Sequence, residues 1–187
     1  MPLVYEARSW EHGVFVGATM ASETTAAAAG AVGNLRRDPF AMVPFCGYHM
    51  GDYFAHWLAL GASADQSKLP RIFQINWFRK GADNRFLWPG YGENSRVLAW
   101  IAERCEGTAG AVESPIGLLP APGSLPVENL ELSPAALESL LSVDVAGWQS
   151  ELPRIADHLA TFGDRLPREL NAQLEDLRSR LAARTDS

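Results

Sequence analysis

The sequence predicts a mixed α/β fold, with strands and a hairpin in the first half and several helices massed at the C-terminus. Three observations carry that expectation. Segments rich in β-branched and aromatic residues, punctuated by Gly and Pro, fill the first half. Apolar residues at three-to-four spacing run from about residue 133 onward. The chain of 187 residues, 47% apolar and 20% charged, is long enough for one domain with a real core and shows no long internal repeat.

Taken in order, residues 12–20 (HGVFVGATM) read as a strand between glycines. Residues 21–34 (ASETTAAAAGAVGN) are small and low in complexity. Alanine favours helix, but a run without a bulky anchor packs onto nothing. A short helix and a surface loop able to shut closely on something both fit, as does an ordinary Ala-rich connector. Residues 36–51 are broken by Pro39, Pro44 and Gly47 and read as short extended pieces and turns. A helix follows, with Asp52 as N-cap or first-turn acid and Met50, Tyr53, Phe54, Trp57 and Leu58 as its core stripe. His49, Asp52 and His56 share this region but are too few to hold a metal ion.

Residues 61–68 read as a polar linker, and 69–78 (LPRIFQINWF) as a strand alternating around Ile72, Phe73, Ile75 and Trp77. The turn 79–84 then returns the chain through Arg85–Trp88, predicting a hairpin of Phe73–Phe78 with Arg85–Trp88 that Pro89 ends. Residues 93–107 predict a helix capped by Asn94 or Ser95, stopped by Gly107, with Val97, Leu98, Ile101 and Cys105 on its buried face. The Gly- and Pro-rich stretch 108–132 is expected to wrap the surface. Ser133 followed by Pro134 is a strong helix start. Two more helices carry Trp148, Leu152, Ile155, Leu159 and Phe162, with Pro153 as kink or restart, and then Leu166, Leu170, Leu174, Leu177 and Leu181. They should pack on each other or on the sheet.

Charge narrows the function. The net charge of −6 argues against a nucleic-acid binder. Yet residues 68–96 hold Lys68, Arg71, Arg79, Lys80, Arg85 and Arg96 against Asp83 and Glu93, a net +4 inside an acidic chain. That island suits a small anionic ligand, or is a solvated loop rim. No apolar run approaches the roughly 20 residues needed to span a bilayer, and the N-terminus shows no secretory signal. Cys46 and Cys105 form neither a disulfide framework nor a zinc site; two buried thiols in a reducing cytoplasm are expected.

No G-x-x-x-x-G-K-S/T phosphate loop, G-x-G-x-x-G fingerprint, G-x-S-x-G elbow or metal-spaced cluster occurs. What remains is FLWPGYGEN, Phe86 to Asn94. Phe78 closes one strand, Phe86 opens the next and Tyr91 lies in the turn beyond. Aromatic faces one ring thickness apart would form a slot for a planar base. The Asn94 amide offers a donor and an acceptor for the base edge, and the backbone of Gly90–Gly92 offers more hydrogen bonds. The competing reading is three aromatics buried as core.

HGVFVGATMASETTAAA, DPFAMVPFCGYHMGDYFAHWL, KLPRIFQINWFRK and FLWPGYGENSRVLAWI resemble consecutive blocks of the GTP-dependent phosphoenolpyruvate carboxykinases, from about Leu3 to the last helix. The resemblance implies a decarboxylating lyase of gluconeogenesis that interconverts oxaloacetate and GTP with phosphoenolpyruvate, GDP and CO2, using Mn2+ and Mg2+, in the cytoplasm and with no membrane or nucleic-acid partner. It implies that Phe78, Phe86 and Tyr91 sandwich guanine within a Tyr91, Gly92, Glu93, Asn94 motif in which Asn94 reads the base edge. It also implies that a mobile lid lies at Ser22, Glu23, Thr24, Thr25, Ala26 and Ala27, within 21–34. Residues 1–187 are then a single C-terminal portion of the nucleotide-binding domain, with guanine-slot hairpin and turn at about 70–94 and helical tail at about 133–184. Family members are longer at the N-terminus, and their phosphate loop, metal ligands and substrate-binding arginines precede the matched part. Tyr91 stands where animal members commonly have Phe. The chain alone is therefore expected to have no turnover and no metal ligands. The alternatives are a non-catalytic guanine-nucleotide-binding or partner-docking module, and a piece that joins the missing N-terminal part in trans.

Overall fold

The structure, a computed structural model, describes residues 1–23 and 35–184. In chain order it contains β1 (Val4–Glu6), α1 (Trp10–Ala18), β2 (Ala21–Glu23), β3 (Leu35–Arg37), α2 (Met50–Ser63), β4 (Phe73–Ile75), α3 (Asn94–Glu106), β5 (Ala111–Ser114), β6 (Gly117–Pro120), α4 (Pro134–Leu141), α5 (Val145–Ala160) and α6 (Arg168–Ala182). Short 3₁₀ turns lie at Pro39–Ala41 and Tyr91–Glu93. One sheet runs β4-β1-β6-β5 with every pairing antiparallel, and β2 and β3 form a separate two-stranded ribbon. This is the mixed α/β class expected, with helices massed at the C-terminus.

β1 is the shared wall of two cores. Successive strand residues point to opposite faces, so Tyr5 packs with Phe15, Phe54, Ile155 and Leu174, while Val4 packs with Trp88, Val97, Trp100 and Leu140. The first core lies among α1, α2, α5 and α6, and the second beneath α3, α4 and the turn that follows β4. Glu6 ends β1 almost fully buried and is doubly paired, with Arg71 Nη1 at 2.9 Å and Arg104 Nε at 2.8 Å. A buried carboxylate is tolerable because both oxygens are engaged. The pairs tie the approach to β4 and the end of α3 to the central strand.

Four local expectations are corrected. Residues 12–20 are not a strand; most of them form α1, begun by Ser9, whose hydroxyl accepts the His12 amide at 3.1 Å. Gly13 survives inside this helix because a Cβ there would sit 2.2 Å from Ile72 Cδ1, so the residue preserves a close approach. β4 does not pair with Arg85–Trp88. It pairs with β1 (Val4↔Ile75, Glu6↔Phe73), and the local return is a smaller turn with a single bridge, Lys80↔Phe86. Part of 108–132 does not wrap the surface but forms the β5–β6 hairpin, which places β6 beside β1 and buries Ile116 and Leu119. On α3 the buried residues are Val97 and Trp100; Leu98 and Cys105 are exposed, and Cys46 is only half-buried.

The other helices follow the sequence. α2 carries the expected stripe, but His49 is its N-cap, its Nδ1 accepting from Gly51 N at 3.0 Å, and Asp52 is the first-turn acid, bound to Arg165. Ser133 caps α4 by accepting the Ala136 amide at 3.1 Å. Pro153 lies within a continuous α5, and Leu152, Ile155 and Leu159 of α5 pack with Leu170, Leu174, Leu177 and Leu181 of α6.

Candidate functional site

Nothing in the core needs Phe78, Phe86 or Tyr91. Their side chains are 70%, 57% and 94% exposed, so the reading of three buried aromatics is set aside. Desolvating apolar rings favours burial, which makes a cluster of exposed aromatics on one turn a surface awaiting a contact.

The turn that carries them is rigidly footed. Asn76 Oδ1 accepts the Phe78 amide at 3.1 Å, and Asn76 Nδ2 donates to the Met1 carbonyl at 3.2 Å. Arg79 donates to the Ser142 carbonyl at 2.7 Å and to its hydroxyl at 3.0 Å, binding the turn to the end of α4. Leu87 N donates to Arg79 O at 2.8 Å and Gly81 N to Arg85 O at 2.9 Å, which sets Phe86 opposite Lys80 and diagonal to Phe78. The two rings meet with centroids 5.8 Å apart at an interplanar angle of 63°. A base sandwiched between parallel rings needs about 7 Å, twice a contact distance of about 3.5 Å. The two rings are thus too close for a planar group to lie between them, and exposed rings turn on the picosecond-to-nanosecond timescale. Tyr91 makes no ring contact among the described residues; it projects from the next turn.

That turn is shaped by Gly90, at φ 113 and ψ −159, a backbone conformation essentially confined to glycine. Gly92 differs in its backbone: it has no positive φ, and a Cβ at either glycine would meet nothing within 4 Å. Glu93 is held by Arg96, which also donates to the Pro126 carbonyl. Asn94 opens α3 but does not cap it, and its Oδ1 accepts from the buried Trp88 indole N–H at 2.9 Å. The backbone links Phe86, Trp88, Tyr91 and Asn94 within one short segment, as the sequence predicts.

The basic island is partly consumed by structure. Arg71 neutralises Glu6, Arg79 holds Ser142 and Arg96 holds Glu93. Lys80 sits 5.6 Å from the Phe86 centroid, in cation–π range, and Arg85 is largely exposed. Lys80 is thus the cation that lies against the exposed rings.

A cavity of about 770 Å³ begins at Trp77 and Phe78, runs past Trp148 and Glu151 of α5 and reaches Ala21 and Arg37 of the β2–β3 ribbon. The ribbon joins Ser22 to Arg36 and Glu23 to Leu35. Arg37 fastens it by donating to the Thr19 carbonyl at 2.7 Å and pairing with Glu151. Asp38, nearly buried, accepts from Arg36 at 2.8 Å and from the Val43 amide at 3.3 Å. Of the expected lid residues, Ser22 and Glu23 belong to β2; Thr24, Thr25, Ala26 and Ala27 lie outside the described residues. Arg37, Glu151 and Trp88 were not singled out by the sequence. For Trp88 a signal existed, since an indole offers only a donor and Asn94 stands six residues on.

Among the described residues no group of three or more His, Cys, Asp or Glu side chains could hold a metal ion. No described helix is long and apolar enough to cross a membrane.

Over residues 1–180 the chain matches the family described as phosphoenolpyruvate carboxykinase C-terminal P-loop domain. The chain belongs to that family. Its relatives are named for the GTP-dependent enzyme. Phosphoenolpyruvate carboxykinase (GTP) of Treponema pallidum (strain Nichols) is 55% identical over 183 residues, 97% of this chain and 30% of its own length. That of Neocallimastix frontalis is 55% identical over 184 residues, 98% of this chain and 30% of its own length. That of Paenarthrobacter aurescens (strain TC1) is 53% identical over 181 residues, 97% of this chain and 30% of its own length. The chain therefore spans 30% of the length of these curated relatives.

Proposed function

We propose that residues 1–187 are a C-terminal part of a GTP-dependent phosphoenolpyruvate carboxykinase, which converts oxaloacetate and GTP to phosphoenolpyruvate, GDP and CO2. This part contributes the guanine slot, with Phe78, Phe86 and Tyr91 stacking on the base and Gly92, Glu93 and Asn94 forming its edge. The β2–β3 ribbon is the base of a lid running through Ser22, Glu23, Thr24, Thr25, Ala26 and Ala27. The single observation that carries the reading is the exposure of three aromatic rings on two successive turns beside a fixed amide. The γ-phosphoryl chemistry, Mn2+ and Mg2+ belong to residues outside this chain, and so does the full set of phosphate contacts. The enzyme works in the cytoplasm, and its missing N-terminal part is this chain's natural partner.

Two magnitudes set the expected affinity. Stacking contributes about 1–3 kcal/mol per base. Opening the slot gives back the edge-to-face contact of Phe78 and Phe86, about 0.5–1.5 kcal/mol. What remains corresponds to millimolar dissociation constants or weaker. Titration of the chain with GDP and ADP, followed by tryptophan fluorescence, should show a millimolar response in which GDP exceeds ADP. No response to millimolar GDP would reject the slot.

A second reading, a non-catalytic guanine-nucleotide or docking module, is favoured by one observation: the sequence has a base slot without a G-x-x-x-x-G-K-S/T loop. Turnover separates the two roles. The chain with GTP, oxaloacetate and Mn2+ should yield no phosphoenolpyruvate above background. Product formed by the chain alone would overturn the assignment of the phosphate chemistry to a missing part.

A further inference from the structure

We propose that Trp88 is a positioning residue that fixes which atoms of Asn94 face the ligand, so that the slot selects purines carrying an oxygen at C6 over purines carrying an amino group there. The proposal rests on the reading of Phe78, Phe86 and Tyr91 as a purine slot.

Trp88 presents a donor that cannot accept. Trp88 is 2% exposed, and its ring packs among Leu3, Val4, Val97 and Trp100, with Trp77 at 6.3 Å between centroids. The indole Nε1 offers only an N–H. Its partner is the side chain of Asn94 at 2.9 Å. The amide must turn its oxygen to that N–H, since the NH2 end would set donor against donor. The orientation is thus dictated by the chemistry of the indole donor. Asn94 is itself anchored as the first residue of α3, its backbone N–H donating to Tyr91 O. The atom left for a ligand is Nδ2, which makes no hydrogen bond to protein among the described residues and carries two protons.

A fixed NH2 group favours a base edge that accepts. The C6 oxygen of guanine or hypoxanthine fits; the C6 amino group of adenine meets donor with donor. In free solution an asparagine serves either base by rotating its amide. Here rotation strands a buried indole donor, which biases against the flip by about 5–150-fold. Selectivity is thereby built into the core beneath the slot.

The test uses the 15N-labelled chain titrated with GDP, IDP and ADP, reading the Asn94 side-chain amide peaks, the Trp88 indole peak and the dissociation constants. In the wild type GDP and IDP should bind alike and at least about 5-fold tighter than ADP, shifting the Asn94 amide protons. Trp88→Phe frees the amide to rotate, and the GDP-to-ADP preference should fall towards one while GDP still binds. Asn94→Asp keeps an acceptor for the indole but turns the outward atom into an acceptor, so GDP should weaken at least 10-fold and the preference should invert. If Trp88→Phe does not fold, judged by circular dichroism, the Trp88 indole peak decides: a peak that does not move in Asn94→Asp, where its acceptor becomes a carboxylate, overturns the bond that orients Asn94. A preference unchanged in the folded variants overturns the role of Trp88 and leaves the slot standing. Absence of any GDP response in the wild type overturns the slot and, with it, this inference.

Discussion

Two glycines flank Tyr91, and the structure assigns them opposite fates on substitution. Gly90 adopts φ 113 and ψ −159, and its carbonyl accepts the Glu93 amide at 3.0 Å to close the 3₁₀ turn. An L-residue forced into that conformation costs about 1–3 kcal/mol. With a urea m-value of about 2 kcal/mol/M, Gly90→Ala should lower the unfolding midpoint by roughly 0.5–1.5 M. Gly92 has no such constraint, and a Cβ there meets nothing within 4 Å. Gly92→Ala should stabilise the chain by about 0.4–1 kcal/mol, because alanine restricts the unfolded state more than glycine does. The same methyl group lies within the Tyr91–Asn94 segment proposed to hold the base edge, so GDP binding should weaken although the fold is firmer. Urea titrations read by tryptophan fluorescence, paired with GDP titrations, give both quantities. An unchanged midpoint for Gly90→Ala, or a destabilised Gly92→Ala, would refute the account of this turn.

Other expectations follow from exposure and burial. Phe78→Ala and Phe86→Ala should each cost no more than about 1.5 kcal/mol of stability, the contact between the two rings, yet each should weaken GDP binding by about tenfold or more; urea and GDP titrations of the same samples separate the effects. Trp100, fully buried between α3 and the sheet, should cost about 3–5 kcal/mol on truncation to Ala, seen as a large drop in thermal midpoint. His12 is buried, its Nδ1 accepting the Arg8 amide at 3.0 Å, and burial first, then Arg180 and Arg8, pushes its pKa down to about 4. Its folded pKa lies below the unfolded value of about 6.5, so the folded state disfavours the proton. Stability is full above about pH 6.5 and is lost as pH falls towards 4, by up to about 3 kcal/mol. His12→Gln should flatten that part of the pH profile of urea midpoints.

The helices that sequence reading located best are those with a chemical start signal and a periodic apolar face. Ser133 with Pro134 fixed α4, and the leucines at 170, 174, 177 and 181 fixed α6. α1 escaped because its buried residues include His12, Gly13, Val14, Phe15 and Ala18, leaving little polar face for periodicity to reveal. The β5–β6 hairpin escaped because its Gly and Pro content reads as loop, while its place beside β1 depends on residues over a hundred positions away. The β4 strand was found but given the wrong neighbour for the same reason: a local return is visible in sequence, and pairing with Val4–Glu6 is not. At the site the residue types were legible. Their exposure, the closed angle between Phe78 and Phe86, and the indole that orients Asn94 were not, because each is set by what the neighbours leave uncovered.

The three-residue strand β1 has a dynamic consequence. Because adjacent Val4 and Tyr5 belong to different cores, neither core can open without uncovering a residue in the middle of the sheet. The amides of β1 and β4 should therefore exchange with solvent only on global unfolding, as the slowest in the chain. α5 and α6 are then not a detachable tail. Removing them exposes Tyr5, loosens the strand that carries β4, and reaches Phe78 and its turn through a single plank of backbone, so slot and helices should melt together in one transition.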